Sequence, residues 1–154
     1  CLTGPRSTWA RISAGEVVGL VSFLTGEMFT LLAERSSLRH AMAATEALDA
    51  EAFGAALDDV LSRPERLAGV IAATGQAGTA RARLSGALIG AELAAARPWW
   101  LGQAVAVIGG AETASLYAAA LTRQGVTAPI ADGRDMALAG LARARAVLRG
   151  RAED

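Results

Sequence analysis

The segment AVAVIGGAETASLYAAALTRQGVTAPIADG, residues 104–133, decides the fold class of this chain. An apolar run of strand length, Ala104–Ile108, is followed by a glycine pair and by helical periodicity over Ala111–Gln124. Gly125 is a helix-ending residue, and Val126–Ile130 predicts a second short strand. A strand, a helix and another strand in this order predict two parallel strands with a right-handed crossover. We therefore expect an α/β fold.

The first quarter of the chain is predicted to form an antiparallel β-hairpin. Trp9–Ile12 is a short extended run, and Glu16–Thr25 is rich in β-branched and aromatic residues, with Gly19 as a candidate bulge. Ser13–Gly15 is the turn between them, because glycine accepts a positive φ. Cys1–Ser7 is expected to be the end and turn of an earlier strand. Since the chain also has no initiator Met, we expect that it begins inside a longer protein.

Helical periodicity dominates the middle of the chain and returns at its end. The predicted helices are Glu27–Arg35, Ala50–Ser62 with Asp49 as N-cap, a short helix opened by Pro64, Thr79–Arg97 ended by Pro98, and Asp135–Leu148. On the long helix, Ala82, Gly86 and Gly90 share one face, which predicts close approach of another backbone. Together the elements predict a mixed sheet with a leading hairpin and packed helices.

Composition excludes several classes of function. The 154 residues carry a formal net charge of zero, which argues against a nucleic-acid scaffold. All 15 basic residues are Arg, so any phosphate contact must come from Arg, hydroxyl or backbone N–H groups. The single cysteine, Cys1, allows no intrachain disulfide, and we expect neither a signal segment nor an apolar membrane span in these residues. We expect a cytoplasmic protein in which the lone histidine, His40, lies on the surface and binds no metal.

Three short segments are candidate ligand contacts, and each also has a purely structural interpretation. The turn Gly109-Gly110-Ala111 could let a nucleotide approach the backbone, or could simply join a strand to a helix. It is not the dinucleotide fingerprint, because the third glycine is absent. The tip around Gly4, Arg6 and Ser7 could hold phosphate oxygens, or could be an ordinary polar turn. Thr25-Gly26-Glu27 could face a cleft, or could cap a helix with Thr25 as the N-cap.

Taken in order, these segments resemble the 2-keto-3-deoxygalactonate kinases of the actin/hexokinase-like superfamily. The most specific match is LSGALIGAEL, residues 84–93, which resembles the family's L-S-G-L-L-I-G-x-E helix. FLTGEMF, residues 23–29, resembles its F-x-T-G-E-x-F/H segment. Ile108-Gly109-Gly110 with Tyr117 resembles its late strand, turn and helix, and residues 132–141 resemble its final helix.

The resemblance implies a ribonuclease-H-like fold and a function. Residues 1–154 would be the C-terminal lobe of a two-lobed sugar-acid kinase that phosphorylates 2-dehydro-3-deoxy-D-galactonate from ATP and Mg²⁺. The absent N-terminal lobe would supply the D-x-G-x-T phosphate loop and the catalytic carboxylate, so no catalytic residue and no metal ligand is expected in this chain. The implied contacts are Gly4, Arg6 and Ser7 for phosphate, Thr25, Gly26 and Glu27 for the cleft, and Gly109, Gly110 and Ala111 for adenosine.

Two other functions stay open at this stage. The family's hairpin tip reads P-G-T-H-S/C-K-W, whereas Pro5, Arg6 and Thr8 replace its Thr, His and Lys here. Since Pro5 removes both a hydroxyl and a backbone N–H, a degenerate, non-catalytic remnant or binding module of the family is the first alternative. An unrelated α/β nucleotide- or cofactor-binding module is the second. The sequence leaves a homodimer open, and predicts no nucleic-acid or membrane partner.

Overall fold

A computed structural model describes residues 1–42, 48–75 and 78–150. Within these ranges the chain forms four β-strands, seven α-helices and two short 3-10 turns. The strands are β1 (Ser7–Ser13), β2 (Glu16–Phe23), β3 (Val107–Gly109) and β4 (Ile130–Asp132). The helices are α1 (Thr25–Arg35), α2 (Ala50–Ser62), α3 (Leu67–Ala72), α4 (Ala80–Ala95), α5 (Arg97–Trp100), α6 (Ala111–Arg123) and α7 (Gly133–Gly150). The 3-10 turns are Ser37–Ala41 and Pro64–Arg66. The mixed α/β class is confirmed.

The predicted hairpin is confirmed, and its turn is tighter than a generic loop. Ala14 and Gly15 both have positive φ, 51° and 80°, which fits a two-residue turn that follows the right-handed twist of the strands. The register skips Val18 between the pairs Arg11–Gly19 and Ile12–Val17, so the bulge lies beside the predicted Gly19.

The second sheet is smaller than predicted. β3 and β4 pair in parallel over three residues, which confirms the predicted orientation. The predicted strand Val126–Ile130 was wrong in position, since pairing starts only at Ile130. The Val126 N–H still bonds the Leu121 carbonyl of α6 at 2.9 Å, and Pro129 has no N–H to give to a sheet. Leu2 bridges β1 and β3, so the two small sheets are hydrogen-bonded through it.

Helices α2 and α4 pack closely against each other, with their backbones in contact. The Asp49 carboxylate accepts the Ala52 N–H at 2.9 Å and caps α2, as predicted. A methyl group at Gly86 would collide with the Phe53 carbonyl oxygen, and one at Gly90 would lie 2.7 Å from the Leu57 carbonyl oxygen. These glycines therefore let the two backbones meet, which confirms the prediction of close approach.

Two other helices have boundaries that differ from the predicted ones. The helix predicted as Thr79–Arg97 ends at Ala95, and Pro98 lies in the first turn of the short helix α5, where a missing N–H costs nothing. The last helix starts two residues early, at Gly133, because the Asp132 carboxylate accepts the N–H groups of Arg134 and Asp135. Nowhere in the described ranges is there a helix both long and apolar enough to cross a bilayer.

The main core lies between the hairpin, α2, α4, α6 and β3. Trp9 and Trp100 are each 2% exposed within it. His40 is exposed, as predicted. Three arginines near the end of α7, Arg143, Arg145 and Arg149, are also exposed.

Candidate active-site cavity

A cavity of about 730 Å³ lies between the tip that precedes β1, helix α1, helix α4 and the first half of α6. Its wall is part apolar and part polar. The apolar part includes Phe29, Leu88, Ile89 and Leu116, and the polar part includes Thr25, Ser85, Arg81, Glu112 and Tyr117. A cavity of this size, with a few polar groups on apolar walls, suits a small-molecule ligand.

The tip and the start of α1 form one wall of the cavity. Gly4, Pro5, Thr25 and Gly26 all line it. The Glu27 N–H donates to the Pro5 carbonyl at 2.8 Å, and any side chain at Gly26 would collide with the Gly4 carbonyl oxygen. The structure thus brings together two predicted segments that are separated in sequence, and glycine at position 26 is required for their approach.

Behind this wall lies a buried carboxylate, that of Glu92 on α4, which is 3% exposed. Its Oε2 accepts the Ser7 hydroxyl at 2.7 Å, the Tyr117 hydroxyl at 2.6 Å and the Thr25 hydroxyl. Its Oε1 accepts the Trp9 indole N–H at 2.8 Å. Side chains from β1, α1 and α6 therefore converge on one residue of α4.

Burial and the neighbouring Glu92 set the protonation state of Tyr117. Burial, followed by the negative charge of Glu92, raises the pKa of Tyr117 far above its usual value. The phenol consequently stays protonated and remains a hydrogen-bond donor to Glu92. The interpretation of Thr25 as the N-cap of α1 was wrong, because Leu24 holds that position and the Thr25 hydroxyl donates to Glu92 instead.

Arg81 is the one cationic side chain among the described residues that line the cavity. Its guanidinium lies 4.9 Å from the centre of the Phe29 ring and 3.7 Å from the Glu112 carboxylate. The ring and the carboxylate hold the guanidinium at the rim, where its remaining N–H groups can meet an anionic or planar ligand.

The other predicted phosphate and cleft residues, Arg6, Ser7 and Glu27, are not in the described lining of the cavity. Arg6 and Glu27 are exposed and are absent from the described lining of the cavity. Ser7 is fully buried, and its hydroxyl is taken by Glu92. Of the two predicted groups, Gly4, Thr25 and Gly26 border the cavity directly.

The predicted adenosine turn borders α6, whose first half lines the cavity. Gly109 is buried, and a methyl group there would collide with the Thr3 side chain. Gly110 and Ala111 are exposed, and a methyl group at Gly110 would meet nothing within 4 Å. Gly109 is thus required by packing, whereas Gly110 leaves open space at the start of α6.

Sequence reasoning missed Glu92, Tyr117 and Arg81 as site residues. Glu92 was visible as the single charge that interrupts the apolar run 84–96, but its partners lie up to 85 positions away. Arg81 had no distinguishing signal among fifteen arginines. In the described part of the chain, no group of three His, Cys, Asp or Glu side chains is placed to hold a metal ion.

Comparison with known proteins decides the family. A family model described as 2-keto-3-deoxy-galactonokinase matches residues 1–144. The chain belongs to this family. A probable 2-dehydro-3-deoxygalactonokinase of Rhizobium meliloti is 35% identical to this galactonokinase-family chain over 96% of its length. A crystal structure named as that of a 2-dehydro-3-deoxygalactonokinase protein from Sinorhizobium meliloti is 32% identical, with a TM-score of 0.85 over 96% of the chain.

These relatives are longer than the galactonokinase-family chain. The chain covers 52% of the Rhizobium meliloti protein and 53% of the crystallised one. It therefore spans about half the length of the relatives that it matches, and the cavity described above is built from that half alone.

Proposed function

We propose that this chain is the C-terminal, ribonuclease-H-like lobe of a two-lobed cytoplasmic kinase that phosphorylates 2-dehydro-3-deoxy-D-galactonate from ATP. Membership of the galactonokinase family supports the reaction. The observation that carries the proposal is the cavity, because it gathers Gly4, Thr25, Gly26 and the first half of α6 around one space. The family resemblance assigned Gly4 to phosphate and Thr25 and Gly26 to the cleft, whereas the turn Gly109–Ala111 that it assigned to adenosine does not line the cavity but leads directly into α6.

In this proposal the backbone, rather than a lysine, meets the phosphates of ATP. Gly4 and Gly26 both line the cavity and carry no side chain, so a ligand in the cavity can come close to their backbone. Gly110 and Ala111 offer the adenosine moiety an open edge at the start of α6. Arg81 adds a cation at the rim.

Magnesium enters the proposal with the nucleotide. Mg²⁺ usually keeps several waters and is held by substrate phosphates and one or two carboxylates, so a three-ligand protein cluster is not required. The ion would neutralise charge on the transferring phosphoryl group. The proposed carboxylate that accepts the proton of the sugar acid belongs to the other lobe, and the residues of this chain bind and orient ATP.

The alternative is a non-catalytic remnant or binding module of the same family. Pro5, which lacks an N–H, and Ser7, whose hydroxyl is occupied by Glu92, favour it. However, the Pro5 carbonyl accepts the Glu27 N–H, so proline at this position is compatible with the ordered tip.

Two measurements test the proposal. The coding sequence upstream of Cys1 should encode a D-x-G-x-T segment, whereas a stop codon just upstream would contradict the two-lobed kinase. The full-length protein should then convert 2-dehydro-3-deoxy-D-galactonate and ATP to a phosphorylated acid and ADP in a coupled assay. Binding of ATP–Mg²⁺ by calorimetry without any turnover would favour the remnant.

A further inference from the structure

The two oxygens of the Glu92 carboxylate accept hydrogen bonds from different donors. Oε1 accepts only the indole N–H of Trp9, which belongs to the main core. Oε2 accepts three hydroxyls, from Ser7, Thr25 and Tyr117. Thr25 and Tyr117 line the cavity, and Ser7 ends the tip that begins at Gly4.

The chemistry of this group suits a fixed arrangement. An ionised carboxylate only accepts hydrogen bonds, and its four partners here can all donate. None of the ion pairs between described residues includes Glu92. A buried charge without an ion-pair partner is tolerated only when its hydrogen bonds are complete, so losing one donor should disturb the positions of the others.

We infer that Glu92 is a positioning residue of the cavity, which sets the tip Gly4–Ser7 and the start of α1 against α6 without touching the ligand. This inference rests on the proposed function in one respect, since ATP–Mg²⁺ is the ligand used to test it. Glu92 itself is absent from the described cavity lining. Glu92 therefore affects ligand binding indirectly, by fixing the positions of the Ser7, Thr25 and Tyr117 hydroxyls.

Three single variants separate positioning from a general contribution to stability. Glu92→Gln keeps the shape but replaces one acceptor oxygen with an N–H donor. Ser7→Ala removes one donor to Oε2. Trp9→Phe is the matched control, because it removes the one donor to Oε1 and also leaves space in the core.

The measurements are the ATP–Mg²⁺ dissociation constant and KM of the full-length protein, together with its Tm. We expect Glu92→Gln and Ser7→Ala to weaken ATP binding and to raise its KM by roughly tenfold, with a smaller change in kcat. Trp9→Phe should lower Tm at least as much, yet change ATP affinity less than about twofold.

Amide hydrogen exchange gives a readout that needs no ligand. Residues 4–8 and 25–28 should exchange faster in Glu92→Gln and Ser7→Ala than in the wild type, and should be little changed in Trp9→Phe. The Glu27 N–H is the most informative amide, because it donates to Pro5 and so reports the contact between the tip and α1.

The outcomes are distinct. If loss of ATP affinity simply follows loss of Tm across the three variants, Glu92 has only a structural role and the inference is overturned. If Ser7→Ala alone weakens binding and exchange is unchanged, Ser7 contacts phosphate directly, which also overturns it. A wild-type protein that binds no ATP refutes the proposed function instead, while the exchange pattern still decides whether Glu92 positions the tip.

Discussion

Helices α4 and α7 have similar compositions but opposite environments. Both are rich in Ala and Leu and contain internal glycine. In α4, eleven of sixteen residues are buried, including the charged Glu92. In α7, every residue from Arg134 to Arg149 is exposed. The difference teaches that composition predicts the helix, whereas burial depends on whether a neighbouring element can approach closely enough.

The largest expected effect is the loss of a buried leucine from α4. Leu84 is fully buried and Leu141 on α7 is 68% exposed. Leu84→Ala should lower the free energy of unfolding by about 3 kcal/mol, because it removes apolar contacts and leaves a cavity. The matched Leu141→Ala should change it by less than about 0.5 kcal/mol. Urea unfolding measures both, and equal losses would break the comparison.

A methyl group added to α4 should also be costly. Gly86→Ala would place a Cβ against the Phe53 carbonyl oxygen, so α2 and α4 would have to separate. We expect a loss of about 2 kcal/mol, with a lower urea midpoint. A stabilised Gly86→Ala protein would show that the two backbones are not in contact.

At alkaline pH, the free energy of unfolding should depend on Tyr117, which contacts Glu92 of α4, rather than on residues of α7. The chain has one tyrosine and no lysine, so Tyr117 is the main side chain expected to titrate between pH 9 and the range of arginine. The pKa of Tyr117 is raised in the folded state by burial and then by Glu92. The phenol therefore ionises first in the unfolded chain, and stability should fall as pH rises above about 10.

The size of this fall can be measured. It should approach about 1.4 kcal/mol for each pH unit above the unfolded-state pKa. Urea unfolding between pH 8 and 11 checks it, with Tyr117→Phe as the control that should flatten the curve. An equal slope in the control would mean that another group is responsible.

A smaller effect, and one of opposite sign, is expected in α7. A methyl group at Gly140 would meet nothing within 4 Å. Gly140→Ala should therefore stabilise the chain by about 0.5–1 kcal/mol, because alanine favours the helix and restricts the unfolded chain. A rise in Tm checks this, and a fall would mean that α7 is covered at Gly140 in solution.

The features that sequence predicted well are local. The hairpin follows from β-branched runs around a glycine turn, and Asp49 caps α2 because its partner is only three residues away. The close packing at Gly86 was also predicted, since small residues repeat at helical spacing. Each of these signals is contained in a short stretch of chain.

The features that sequence missed depend on distant partners. β4 is set by pairing with β3 rather than by its own residues, which is why the prediction began four residues too early. The fourfold hydrogen bonding of Glu92 joins residues separated by 25 to 85 positions. The cavity likewise follows from tertiary packing, so sequence alone gave candidate residues without their arrangement.

The double pairing of Leu2 limits how the cavity can deform. The Leu2 N–H donates to the Thr8 carbonyl at 2.8 Å, and the Leu2 carbonyl accepts the Thr8 N–H at 2.9 Å. The N–H of the next residue, Thr3, donates to the Ile108 carbonyl at 2.7 Å. A sliding displacement of the hairpin along β3 would have to break these bonds together. Inserting one residue between Thr3 and Ser7 should therefore enlarge the tip without shifting the hairpin, whereas deleting Leu2 would leave the hairpin and the parallel strands free to shear.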